Sequence, residues 1–138
     1  MKADGIPFWM TVFGALLAMG ATAMGVVGVA APWFVPNYIQ GVGVEELARG
    51  WGARQAGVGL AMALAIYIRH AAAYAAAFFA GVVRDVADVA TMLVGDIWLP
   101  GLFVLFVILV LELVCFATAL RVAEKRHMHK RLSGKTKN

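Results

Sequence analysis

Arg84, Asp85 and Asp88 stand inside AAAYAAAFFAGVVRDVADVATMLV, residues 71–94, a stretch long enough to cross a bilayer. About 20 mostly apolar residues make a span. A charge near its centre costs a few kcal/mol and persists only with a partner, so an intramembrane charge is a functional candidate by default. Arg84 and Asp88 lie four apart and share a helix face; Asp85 and Asp88, three apart, share a neighbouring one and leave an acidic excess. Gly81, Phe78 and Tyr74 continue the Asp85 stripe backwards, so that side is expected to face protein rather than lipid.

Two further charges belong to the same question. Glu112 stands alone in LFVLFVILVLELVCFATAL, roughly mid-span, and Arg54 opens another apolar stretch beside Gln55. Arg54, Arg84, Asp85, Asp88 and Glu112 form a candidate intramembrane polar cluster of two cations and three carboxylates, so one acid is left without a cation. That acid is the candidate proton carrier or ligand anchor; the competing reading is that the charges only lock helix register or hold a partner. Other reactive types are read more plainly. His127 and His129 have no further ligand in the tail, so no metal site is expected. Tyr74 suits packing near an interface, and Cys115 suits core filling. No phosphate loop, H-E-x-x-H, nucleophile elbow or cysteine pair is present, no catalytic residue is assigned, and no cofactor is expected.

The elements that must position these residues follow from composition. The 138 residues are 62% hydrophobic and 14% charged, with a mean hydropathy of +0.81, against roughly 25% charged in an ordinary soluble domain. This predicts an all-α polytopic membrane protein, a four-helix antiparallel transmembrane bundle over residues 1–122, followed by a basic tail over 123–138. The net charge of +4 gathers in that tail, so nucleic acid is not an expected partner.

Spans are expected at about 8–31, 50–68, 71–94 and 98–122. MKADGIPFWM is a poor secretory signal, so the first run is read as retained. Within it Gly14, Ala18, Ala21, Gly25 and Gly28 are small enough for close helix approach, and Pro32 ends it. The long connection carries Trp33, Phe34, Tyr38 and Trp51, an aromatic set suited to a membrane interface, and VEELARG reads as a short interfacial helical turn leading into the second span. In the second span Ala53, Gly57, Ala61 and Ala65 recur every four residues and predict a smooth packing groove. Arg69 and His70 mark a tight turn, Gly95 and Asp96 the next.

Arg121, Lys125, Arg126, Lys130 and Arg131 set topology by the positive-inside rule and suit anionic lipid head groups. Both termini are then expected in the cytoplasm of a cell with this protein in its inner membrane. At the depths this implies, Arg54 meets Asp88 and Arg84 meets Glu112, with Asp85 either shared or facing a cavity.

Over residues 8–94 the pattern of a small-residue first helix ending at Pro32, a second helix with Arg54 and Gly59, a short basic turn and a late Asp88 resembles a family of small bacterial and fungal four-helix membrane proteins grouped loosely with DoxX-like proteins. Gln55 stands where many relatives have an acid, Arg84 and Asp85 are additions, and the fourth helix has no counterpart motif. The resemblance implies topology and the Arg54/Asp88 pairing, and carries no activity. The leading expectation is a non-enzymatic accessory or scaffold subunit, with lipids and other transmembrane subunits or further copies of itself as partners. The alternative is a small-ligand or proton-coupled transporter, or a binder or isomerase of a lipid-like ligand, using an intramembrane carboxylate.

Overall fold

Small residues at alternating three- and four-residue spacing set the architecture of the computed structural model, which describes residues 5–34, 44–94 and 99–135. On helix α1 (Phe8–Ala30) the buried positions are Met10, Gly14, Ala18, Ala21, Gly25 and Gly28. Such a seam keeps one face toward a neighbouring helix, as in a coiled coil. The neighbour is α2 (Val44–Ile68), whose buried positions Ala48, Gly52, Gln55, Gly59, Met62 and Ala65 follow the same rhythm. The backbones touch. A Cβ added to Gly25 would lie 2.7 Å from Ala56 Cα, and one added to Gly59 would lie 2.7 Å from the Thr22 amide nitrogen.

The groove expected at Ala53, Gly57, Ala61 and Ala65 is not the surface that α1 packs against. Ala53, Gly57 and Ala61 are exposed, and only Ala65 is buried. The reason is geometric: four residues turn an α-helix by about 400°, so a strict four-residue row drifts by about 40° per step. The row therefore begins on the outer face of α2 and reaches the α1 seam only at its last member.

Arg69, at φ 56°, ends α2 in the left-handed conformation that commonly closes a helix, and its amide donates to the Ala65 carbonyl at 3.0 Å. Helix α3 (Ala71–Val94) starts two residues later and packs chiefly against α4 (Leu99–Lys135). A short 3-10 turn, Pro32–Phe34, follows α1. Among the described residues these four helices are the α-helical content and there is no strand.

Two boundaries differ from expectation. The second helix begins at Val44 rather than about residue 50, taking in VEELARG, the helical turn expected to lead into it, without a break, and α4 runs 37 residues, through most of the basic tail. Both stretches are rich in strong helix formers, which carry the helix on. The connection at 35–43, with Tyr38, and the Gly95/Asp96 turn lie outside the described residues.

Ile6, Met10, Met62, Tyr74, Phe78, Cys115 and Ala119 form the apolar core, with Phe13 stacked on Phe78 at 6.3 Å between centroids. This core gathers the start of α1, the end of α2, the start of α3 and the middle of α4 at one end of the bundle. Two helices, Phe8–Ala30 and the Pro100–Lys125 part of α4, are long and apolar enough to cross a membrane by length and composition, with mean hydropathies of 2.0 and 2.8.

Candidate functional site

The described members of the expected polar cluster converge where α2, α3 and α4 meet. Arg84 and Asp85 are neighbours on α3, Asp88 follows one turn later, Glu112 reaches in from α4, and Arg54 with Gln55 come from α2. A polar side chain of this size needs room among helices that otherwise pack by small residues. Gly81 supplies it. A Cβ at Gly81 would lie 2.7 Å from both Cδ and Oε2 of Glu112, so the carboxyl group fills the notch left by the missing side chain.

One hydrogen-bonded chain links the groups. Arg54 Nη2 donates to Asp88 Oδ1, and Gln55 Nε2 donates to Asp88 Oδ2 at 3.2 Å. The other end of the Gln55 amide accepts from Arg84 Nη1 at 3.1 Å. Arg84 Nε then donates to Asp85 Oδ1 at 2.6 Å, and its Nη2 to Glu112 Oε1 at 3.3 Å. Arg84 thus spends its planar fork on three partners from three helices, a use that a lysine's point charge cannot copy.

The chain runs from the surface inward. The Arg54 side chain is 47% exposed and Asp88 12%, whereas Asp85 and Glu112 are each 1% exposed. At the buried end the balance is uneven: Asp85 Oδ2 and Glu112 Oε2 are enclosed without a hydrogen-bond partner. Buried polar atoms in native proteins are nearly always paired, so these two oxygens mark the chemically unfinished part of the site.

The remaining candidates fall elsewhere. Gly14, Ala18 and Gly25 line the α1–α2 seam. Tyr74 is buried in the apolar core, its hydroxyl 3.2 Å from that of Thr11 on α1. Cys115 is buried in the same core, one turn along α4 from Glu112. Arg121 and Lys125 are exposed beyond the core, and Arg126, Lys130 and Arg131 continue along α4.

Sequence reasoning missed the Gln55 bridge, the notch at Gly81 and the role of Thr11. Gln55 carried a signal, an amide beside an arginine in an otherwise small and apolar stretch. Gly81 carried only its place on the Asp85 stripe, because its role as a notch depends on the register of α4 against α3. Compared with known protein families, characterised proteins and solved structures, the chain matches none.

Proposed function

We propose that this chain is a four-span membrane bundle of the inner membrane with both termini in the cytoplasm, and that it serves as a non-enzymatic accessory subunit packed against another membrane protein. The observation that carries this reading is the outward row of Ala53, Gly57 and Ala61 on α2. No atom of the neighbouring helices comes within 4 Å of a Cβ built at Gly57, and Leu60 and Leu64 beside the row are 60% and 56% exposed. Small residues flanked by apolar ones are how helices approach each other in lipid.

Membrane residence is supported by how little the apolar helices bury. Only 22% of the most apolar window of α1 and 17% of that of α4 lie inside the fold, whereas the core helix of a soluble protein hides most of its surface. Helix α3 has lower hydropathy because of its three charges, but these turn inward or toward α2, and its outer face presents Phe79, Val83, Val86 and Leu93. A spanning α3 therefore offers lipid an apolar surface.

Topology rests on contacts at the core end. Thr11 meets Tyr74, and a Cβ on Gly5 would lie 3.4 Å from Val122. The start of α1, the α2–α3 turn with Arg69 and His70, and the Arg121/Lys125 part of α4 therefore share one end, which the positive-inside rule assigns to the cytoplasm. There Arg121, Lys125, Arg126, Lys130 and Arg131 attract anionic head groups at about 1 kcal/mol per charge.

Native mass spectrometry of the protein extracted from its own membrane in lipid particles tests the proposal. A partner chain in fixed stoichiometry is the expected result; the chain alone, or a homo-oligomer retaining a small molecule, overturns it. That second outcome supports the other reading, a carrier, binder or isomerase using Asp85 or Glu112, which the two unpartnered carboxylate oxygens favour.

A further inference from the structure

Arg84 is shared by two buried acids. Its Nη2 lies 2.6 Å from Asp85 Oδ1 and 3.3 Å from Glu112 Oε1, so a single nitrogen draws both carboxyl groups to one point. Both side chains are 1% exposed, and the second oxygen of each is enclosed with no donor.

Among the described residues, the surrounding groups do not supply the missing positive charge. From α3 the pair is faced by Arg84 and, one turn on, by Asp88; from α2 it is approached by Gln55, which is neutral and already bonds both Arg84 and Asp88. Arg54 is committed to Asp88. On α4 the next titratable neighbour is Cys115, itself buried. Ionised throughout, Arg84 with its two acids would carry a surplus negative charge inside an apolar bundle, where unpaired charge is costly.

We infer that Asp85 and Glu112 together bind one proton, shared between their carboxyl groups, so that the trio with Arg84 is neutral. The proton supplies the donor that the enclosed oxygens lack and turns a repulsive contact between like charges into an O–H···O⁻ hydrogen bond. It belongs to the pair, as in other closely coupled acids. The ligand class is a proton: among the described residues no group of three His, Cys, Asp or Glu is placed to hold a metal ion. This site is independent of whether the outer face of α2 meets a partner, so the two proposals fail separately.

Infrared spectroscopy of the full chain in lipid nanodiscs reads the protonated carboxyl directly through its C=O band. At neutral pH the wild-type protein is expected to show a band equivalent to one carboxylic acid per chain. Asp85→Asn and Glu112→Gln are each expected to abolish it, because the remaining acid then has Arg84 to itself. The wild-type spectrum tests the inference without any variant, and circular dichroism confirms that both variants keep their helices. Absence of the band in the wild type, or its survival in either variant, overturns the inference.

Discussion

Glu112 on α4 sets its carboxyl group on Gly81 of α3, in a space that a single methyl group would close. The contact joins the helix pair α3–α4 at the depth where Arg84 links it to α2. Gly81→Ala should therefore push Glu112 off Arg84 and destabilise the bundle by about 1–3 kcal/mol, the usual range for overpacking. Unfolding by denaturing detergent measures this. In a Glu112→Ala background the same substitution should cost much less, since the clashing group is gone.

Arg84 and Arg54 occupy opposite ends of the network and should respond differently to loss. Arg84→Gln leaves two enclosed acids without a cation and should destabilise by about 3–5 kcal/mol, with Asp85→Asn restoring part of the loss. Arg54→Gln, at a side chain 47% exposed, should cost about 1 kcal/mol or less, because Asp88 keeps Gln55. Equal losses at the two positions would contradict the inward direction of the network.

Glycine positions on α2 separate folding from association. Gly59→Leu drives a side chain into Thr22 and should disrupt the α1–α2 seam, lowering the yield of folded protein by gel filtration. Gly57→Leu meets open space within the chain. It should leave the isolated protein as stable as wild type while removing the partner expected in native mass spectrometry.

Much of this arrangement is legible in the residues themselves. Charges in an apolar run have few places to go, so Arg84, Asp88 and Glu112 point to an inward face, and antiparallel depth alone brings Arg54 to Asp88 and Arg84 to Glu112. The α1 seam is equally legible, because Gly14, Ala18, Ala21, Gly25 and Gly28 already alternate by three and four. The α2 face is not, since the regular row from Ala53 to Ala65 draws the eye from the Gly52, Gln55 and Gly59 positions that match the helical repeat. Gly81 and Thr11 acquire meaning only from a residue on another helix, Glu112 and Tyr74, and no local pattern announces such a pairing.

Topology can be read by labelling single cysteines placed in a Cys115→Ala background. Positions 69–70 and 126–131 should react with an impermeant thiol reagent only from the cytoplasmic side, and positions in the 35–43 connection only from the opposite side. Labelling of 69–70 and 126–131 from opposite sides would remove one span from the bundle.

The outer face of α2 is proposed to meet a helix of another protein. Photo-crosslinking in the native membrane from a reactive residue at position 57, with position 59 as the internal comparison, tests it most directly. Position 57 is expected to give a single adduct of defined mass, formed with one other membrane protein, and position 59 only intrachain products. Adducts from position 57 with lipid alone would contradict it.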